Sequence, residues 1–245
     1  MGAALSYGQT QNTTTRFMDA KVILTVLDQH ALFAVLTPEE QHLLQKSASI
    51  CKYNRHQPLF QPEDAANKVY FLLRGGIKVS VHTEKKDIIK YVVRPGNLFG
   101  ESCLTGETRR RDFAHAMDEG AEVLEMEAHA VLTAMKLNFA FSQCFLHCLG
   151  ERLRSTETQL ESVVLKDSKS RIIDFLRQMG LDQGKKVGLE TLVKHNMTHQ
   201  DIADLTGTSR QMVTAVLNQL KRSNVLYFNR KKILFRDLGA LPIAV

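Results

Sequence analysis

The amino-acid sequence predicts an α+β fold with three parts: an N-terminal antiparallel β-barrel of the double-stranded β-helix or jelly-roll type, a long dimerisation helix, and a C-terminal winged helix. Three patterns support this prediction. Short apolar segments are separated by turn residues between positions 50 and 126. A mostly apolar pattern repeats every three or four positions from 139 to 163, with Ser142 and Thr156 as its polar members. Two short helical patterns meet at Gly207.

The N-terminal half combines helical and strand-like segments. Residues 18–35 have the apolar spacing of a helix, and Thr37-Pro38-Glu39-Glu40 has the N-cap, proline and glutamate that begin another. Strand-like segments follow, broken at Arg74-Gly75-Gly76 and at a polar turn: residues 69–73, 77–82 and 88–93. Many short strands at regular spacing favour an antiparallel barrel or sandwich.

A helix with a heptad pattern is predicted between residues 139 and 164. Its apolar side repeats at intervals of three and four residues, as in a two-stranded coiled coil. The helix could lie on its own barrel, but a repeat of this length favours a partner helix, which a homodimer supplies by symmetry. The pattern starts at Phe139 and Ser142, and the expected dimer interface is Leu146, Leu149, Leu153, Thr156, Leu160 and Val163.

The stretch from residue 198 to residue 220 predicts a helix-turn-helix. Thr198 is a suitable N-cap with Asp201 three residues later, and Gly207 suits the sharp turn. Thr208 or Ser209 caps the second helix. Five apolar residues of that helix are expected to face inward: Met212, Val213, Val216, Leu217 and Leu220.

The remaining polar side chains of the second helix can read base edges in a major groove. A β-hairpin with a basic tip at Asn229-Arg230-Lys231-Lys232 follows, as in the wing of a winged helix. From Ser168 onward the net charge is +7, whereas the whole chain carries +6, so the positive charge is concentrated here. The expected DNA-binding residues are Thr208, Ser209, Arg210, Gln211, Thr214, Asn218, Lys221, Arg222 and His199.

Other classes of protein receive less support. No apolar run is long enough to span a membrane and no signal-peptide pattern begins the chain, so we expect a cytoplasmic protein without a membrane partner. An enzyme would need more than the available Cys103 and histidines, and we expect no catalytic site. His195 and His199 form an H-x₃-H pair without further ligands nearby, and no metal site is expected.

The order of sensor barrel, long helix and winged helix resembles the CRP/FNR family of bacterial transcription regulators. The matching motifs are Tyr70-Phe71-Leu72-Leu73-Arg74-Gly75-Gly76-Ile77-Lys78-Val79, Pro95-Gly96-Asn97-Leu98-Phe99-Gly100-Glu101 and Gly207-Thr208-Ser209-Arg210. The resemblance implies a homodimer on a two-fold-symmetric operator in double-stranded DNA, with RNA polymerase as a further partner. We divide the chain into a flexible tail at 1–17, an effector-sensing domain at 18–137, a dimerisation helix at 138–166 and a DNA-binding domain at 167–245.

The resemblance also implies a cyclic-nucleotide-binding-like cassette, which this chain keeps in part. Phe99-Gly100-Glu101 is intact, and the glutamate would accept from a ribose hydroxyl. The arginine that clamps a cyclic phosphate is Arg110 or Arg111, according to the register, and either choice leaves no hydroxyl residue after it. Thr156 matches a position that touches the base across the dimer. No cofactor is certain, and cAMP or another small effector stays open.

Two further regulator types and one other class stay open beside this interpretation. The regulator could be independent of an effector, or it could sense haem or redox state, although no cysteine precedes Cys51 to build an N-terminal iron–sulfur cluster. A non-specific nucleic-acid scaffold would bind without preferring a palindrome. In the recognition helix, Arg210 is expected to pair with guanine, and Gln211 is expected to favour adenine.

Overall fold

The computed structural model describes residues 15–17, 20–82, 87–195, 197–229 and 231–242. The expected flexible tail lies outside these residues except at its end, where a short strand forms. The elements are, in order, β1 (Thr15–Phe17), α1 (Ala20–Gln29), α2 (Pro38–Lys46), β2 (Ala48–Tyr53), β3 (Pro58–Phe60), β4 (Lys68–His82), β5 (Asp87–Val93), β6 (Leu98–Phe99), a 3₁₀ turn (Glu101–Thr105), β7 (Phe113–Glu127), α3 (Ala128–Leu137), α4 (Phe139–Leu165), α5 (Ser168–Gln183), β8 (Lys185–Val187), β9 (Glu190–Lys194), α6 (His199–Thr206), α7 (Arg210–Arg222), β10 (Leu226–Phe228) and β11 (Lys232–Phe235).

The N-terminal domain is built on an antiparallel seven-stranded sheet. Its strands run in the order β1-β2-β7-β4-β5, with β3 on β7 and β6 on β4. The sheet is jelly-roll-like, as predicted, but it is not a closed barrel. The break expected at Arg74-Gly75-Gly76 is wrong, because β4 continues through it with shifts of register. Gly75 has φ +82°, and a Cβ there would lie 2.1 Å from the Gly120 carbonyl oxygen, so the close approach requires glycine.

Two apolar cores lie on opposite faces of this sheet. One core joins the sheet to α1, α2, α3 and the start of α4, and Phe33 contacts both Phe71 and Phe141 within it. The other core lies inside the jelly roll around Phe60 and Phe99. Successive β4 residues belong to different cores because strand side chains alternate between faces. Helix α1 is shorter than the 18–35 expected, and α3 was not predicted separately.

Helix α4 leaves the N-terminal domain with most of its apolar seam exposed. Asn138 caps the helix by accepting from the Phe141 amide at 3.0 Å, and Phe141 and Phe145 are buried in the first turns. Farther along, Leu146, Leu153 and Leu160 are each 60% exposed or more. A seam that stays in water over several turns leaves a contiguous apolar surface for another helix.

The C-terminal domain packs three helices against one face of a four-stranded sheet. The sheet order is β10-β11-β9-β8, and α5, α6 and α7 share one core with its inward side chains. Strand β8 pairs antiparallel with β9 at the edge of this sheet. Met212, expected to face inward, is 39% exposed, which makes that prediction wrong, whereas the other four predicted core residues of α7 are buried.

The helices that the structure describes include none that is both long enough and apolar enough to span a membrane.

Candidate nucleic-acid interface and effector site

Side-chain caps fix the geometry of the helix-turn-helix. The Thr198 amide donates to Asp201 Oδ2 at 2.8 Å, and the Asp201 amide donates to Thr198 Oγ1 at 3.1 Å, which completes the predicted capping box of α6. Gly207 ends α6 with φ +62°, a left-handed conformation that glycine adopts without steric cost. Ser209, one of the two candidates for the second cap, accepts from the Met212 amide at 3.1 Å.

An arginine from α5 supports the turn between α6 and α7. Arg171 Nε donates to the Thr206 carbonyl at 2.8 Å, and Nη2 donates to the Gly207 carbonyl at 3.0 Å. Nη1 donates to the carbonyl of Lys166, at the end of α4, at 2.8 Å. No local sequence pattern predicts this role of Arg171, because only folding brings a side chain from another helix to the turn.

The first turn of α7 presents polar side chains to solvent. Ser209, Arg210 and Gln211 are exposed, and Arg210 forms no ion pair with the described residues. Thr214 and Asn218 are half-buried on the following turns. The Thr214 hydroxyl donates to the Arg210 carbonyl and lies 2.9 Å from His199 Nδ1, so its hydrogen-bonding capacity is largely used within the protein.

The other side chains expected to contact DNA differ in their exposure and in their contacts within the protein. Lys221 Nζ lies 4.9 Å from the ring centre of Tyr227 and 5.7 Å from that of Phe228, so this cation packs on the wing strand β10. Arg222 is exposed at the end of α7, and Thr208 is half-buried with its hydroxyl 2.9 Å from that of Thr206. Arg230, at the expected wing tip, lies outside the described residues.

His195 follows strand β9 and His199 begins α6, where its ring lies 5.7 Å from that of Phe228 on wing strand β10. Burial lowers the pKa of both imidazoles, and the charge of Arg210 lowers the pKa of His199 further. Both rings are therefore neutral at physiological pH. Among the described residues, no three metal-binding side chains come together, so this pair has no further ligand.

In the N-terminal domain, the structure separates the two candidate arginines of the cassette. Arg110 is 2% exposed. Its guanidinium donates to the carbonyls of Gly100 and Lys68 and lies 4.6 Å from the ring centre of Phe60. Arg111 points outward, with its side chain 84% exposed and its Nε 3.2 Å from Glu107. Arg110 is thus the arginine that lies inside the site.

Glu101 is paired with an arginine from the long helix. Arg152 on α4 donates to Glu101 Oε1, and its Nη2 donates to the Leu98 carbonyl at 2.8 Å. The same guanidinium lies 4.3 Å from the ring centre of Tyr91 on β5. No sequence motif points to Arg152 or Tyr91 as members of this site, although Arg152 stands one helical turn before Thr156.

Two polar atoms of this site are buried without a partner among the described residues: Glu101 Oε2 and Arg110 Nε. Gly100 has φ +70°, and a Cβ there would lie 2.8 Å from the Tyr70 ring, so the backbone passes closely beside the site. Phe99 is buried and stacks on Tyr70 at 5.1 Å. Thr156 is exposed on α4, and its hydroxyl donates to the Arg152 carbonyl at 2.9 Å.

A buried polar cluster lies beside Arg110. Lys68, whose carbonyl accepts from Arg110, places its Nζ 2.8 Å from Glu125 Oε2, and the Tyr53 hydroxyl donates to Oε1 of the same carboxylate. Burial opposes the charge of Glu125, but the hydrogen bonds from Lys68 and Tyr53 hold the pKa of Glu125 below its ordinary value.

An N-terminal jelly-roll sheet that holds the buried Arg110, a long helix with an exposed apolar seam and a winged helix-turn-helix together define a DNA-binding transcription regulator. The family model for the Crp-like helix-turn-helix domain matches residues 170–242, and that for the cyclic nucleotide-binding domain matches residues 50–138. The chain belongs to the CRP/FNR family of transcription regulators.

Relatives and solved structures agree with this assignment. The global nitrogen regulator of Nostoc sp. is 31% identical over 183 residues, which cover 74% of this chain and 82% of that protein. The CRP-like cAMP-activated global transcriptional regulator of Mycobacterium tuberculosis is 22% identical, covering 86% and 95%. A CooA mutant from Carboxydothermus hydrogenoformans superposes with a TM-score of 0.72 at 25% identity, covering 89% and 93% of the two chains.

Proposed function

We propose that this transcription regulator acts in the cytoplasm as a homodimer on a two-fold-symmetric operator, that a small effector in the N-terminal site gates it, and that it communicates with RNA polymerase at promoters. The family consists of regulators that are not enzymes. The observation that carries the proposal is the exposed set of donors and acceptors at the start of α7, with Arg210 free of any carboxylate among the described residues.

The homodimer rests on α4. Leu146, Leu153 and Leu160 are exposed at seven-residue intervals, and Leu149 lies half-buried between them. Pairing two such helices in parallel would bury the seam and relate two winged helices by a two-fold axis. Two recognition helices related in this way would reach successive major grooves about one helical turn of DNA apart.

Base readout is assigned to the first turn of α7. Arg210 has the bidentate geometry that suits guanine O6 and N7, and Gln211 suits adenine N6 and N7. Ser209 already serves as N-cap, so its hydroxyl is partly used. Asn218 lies about two helical turns beyond Arg210, away from the first turn. We therefore place Arg210 and Gln211 first among the proposed base contacts, and Lys221 with Arg222 among the phosphate contacts.

An effector site is supported by the polar atoms that lack partners near Gly100. Glu101 Oε2 can accept, and Arg110 Nε–H can donate, to a molecule that carries a hydroxyl and an anionic group. A cyclic nucleotide has both. Against it stand the missing hydroxyl residue after Arg110 and the Arg152 guanidinium that already occupies Glu101. cAMP therefore remains one candidate, with a regulator independent of effectors as the second candidate function.

Gating would pass through Arg152. An effector that accepts from Arg152 or donates to Glu101 changes a contact between the sensor domain and α4, and α4 leads directly to α5 and the winged helix. Such an effector acts only if its affinity differs between two arrangements of the protein.

The proposal is tested by selecting duplexes from a random library and measuring their affinity for the purified protein. A palindromic consensus bound at least about 10³-fold more tightly than scrambled DNA supports the specific regulator. Equal affinity for both duplexes contradicts it and supports the non-specific scaffold. Calorimetric titration with cAMP, with cGMP as control, then tests the effector: saturation at micromolar cAMP supports it, and no heat at millimolar cAMP contradicts it.

A further inference from the structure

A cavity of about 530 Å³ opens between α6, α7 and the wing. Its floor is apolar, formed by side chains that also belong to the domain core: Ile202, Leu217, Phe228 and Ile233. Its polar rim includes His195, Arg210 and Asn229. The cavity therefore joins a base-reading candidate on the recognition helix to the first residue after wing strand β10.

His195 lines this cavity and carries a buried ring nitrogen. The Met197 amide donates to His195 Nδ1 at 3.3 Å, so Nδ1 carries no proton. Because burial lowers the pKa of His195, the ring is neutral, and its single proton sits on Nε2. Nε2 is buried and has no hydrogen-bond partner among the described residues. A buried N–H without an acceptor is costly, which points to an acceptor from outside the chain.

The neighbouring groups favour an anionic acceptor. The side-chain oxygen of Asn229 accepts from the amides of Lys231 and Lys232 at 3.0 Å, which leaves its amide nitrogen to donate. Arg210 adds an exposed guanidinium, and its charge depresses the pKa of His199 on the same rim. No carboxylate lines the cavity among the described residues. Hydrogen-bond donors above an apolar floor suit a phosphate ester. Its phosphate oxygens can accept from the donors while its sugar packs against the apolar side chains.

We propose that this cavity binds one phosphate ester per protomer, with His195 Nε2–H donating to a phosphate oxygen, and that the ester is a backbone phosphodiester of the operator. The proposal rests on the proposed function, because it deepens the DNA interface with a residue outside the helix-turn-helix. A free nucleotide has the same chemistry and is the second source that the experiment distinguishes. His195 would fix the position of the duplex without reading its sequence.

Two variants distinguish the effect of losing the Nε2 donor from the effect of disturbing the fold. In His195→Asn, the short side chain still accepts from the Met197 amide, as in an Asx-turn, but reaches no farther. In His195→Gln, the amide nitrogen extends to the region of Nε2 and keeps a donor there. We expect His195→Asn to weaken binding of selected and scrambled duplexes alike, by roughly tenfold. We expect His195→Gln to bind close to the wild-type level, with both variants melting near the wild-type temperature.

The phosphate is located by replacing each backbone phosphate of the selected duplex, one at a time, with a methylphosphonate. At one position in each half-site, the replacement should weaken wild-type binding but add little to the loss caused by His195→Asn. That non-additivity identifies the two partners of one hydrogen bond.

The remaining outcomes are decisive. If the wild-type protein prefers no duplex, the proposed function fails before this test begins. If the wild type prefers its operator but both variants bind like wild type, the phosphate site is overturned. If His195→Asn weakens DNA binding, no phosphate position couples to it, and AMP saturates wild type but not His195→Asn, the ester is a free nucleotide rather than the backbone. Without coupling and without AMP binding, the site is overturned.

Discussion

Lys78 on β4 forms an ion pair with Asp201 on α6, with 3.4 Å between Nζ and Oδ1, so the sensor domain contacts the first helix of the helix-turn-helix directly. Arg94 and Asp182, 3.2 Å apart, add a second ion pair between the two domains. Gln159 on α4 donates to the Leu205 carbonyl at 2.9 Å. These contacts leave the first turn of α7 exposed, so the DNA-binding domain is oriented without being covered.

We predict that Lys78→Glu weakens operator binding several-fold, since it replaces an attraction with a repulsion of roughly 1 kcal/mol and frees the winged helix to adopt other orientations. The measurement is the operator affinity at low and high salt. Lys46→Glu is the control, because Lys46 is exposed on α2 and the charge change is the same. Equal losses in the two variants would mean that net charge, and not the ion pair with Asp201, causes the effect.

Arg210→Ala should cost about 1–3 kcal/mol of operator affinity and relax the preference at one base position in each half-site. The reason is the loss of a bidentate contact from an arginine that has no partner within the described protein. Affinities for all single-base variants of the operator measure this change. Gln219→Ala, an exposed substitution on the same helix, is the control and should leave the base preferences unchanged. Preferences unchanged in Arg210→Ala would defeat the assignment.

Leu153→Glu should convert the dimer to monomers at micromolar concentration, because it places like charges in the middle of the α4 seam. Light scattering during size-exclusion chromatography measures the mass. Leu181→Glu is closely matched, since Leu181 on α5 is 64% exposed and Leu153 is 60% exposed, yet only Leu153 lies on the seam. A wild-type monomer, or equal effects of the two substitutions, would contradict the proposed interface.

Glu125 should make the stability of the N-terminal domain depend on pH. Its pKa in the folded state lies below the ordinary 4.5, so its stabilisation is complete above about pH 4.5 and is lost as the pH falls through the folded-state pKa. Glu125→Gln should therefore cost about 2 kcal/mol of unfolding free energy at pH 7 and less in acid. Urea unfolding at several pH values measures the difference.

The control for this prediction is Glu122→Gln on the same strand. Glu122 lies 3.8 Å from Arg74, whose side chain is 85% exposed, so its loss should change stability little. If the gap between wild type and Glu125→Gln stays constant down to pH 3, the buried carboxylate is not the source of the pH dependence.

Local patterns predicted the helix caps well. The caps at Thr37 and Thr198 and the turn at Gly207 depend on neighbours within a few residues, and the structure confirms them; of the two candidates for the cap of α7, it selects Ser209. The prediction that Met212 faces inward fails because this residue lies at the edge of the apolar stripe of α7, where helical spacing alone does not decide between core and solvent. The predicted break at Arg74-Gly75-Gly76 fails because Gly75 serves a close approach to Gly120 on another strand.

Long-range contacts limited the prediction of the effector site. The motif around Glu101 was recognised, but its partner Arg152 lies 51 residues away on α4. The choice between Arg110 and Arg111 depends on which side chain turns inward after a loop. Matching the motif from the residues before the loop and from those after it assigns different arginines. The structure supplies the missing information through the carbonyls of Gly100 and Lys68, which only folding brings to Arg110.

The single guanidinium of Arg171 bonds both to the last carbonyl region of α4 and to the turn that begins the recognition helix. In the proposed dimer, a rotation of α4 would therefore be transmitted to the recognition helix, because Arg171 limits independent movement between α4 and α5. Shortening this side chain would allow that movement, so that α4 could still rotate in response to an effector while the recognition helix kept its orientation.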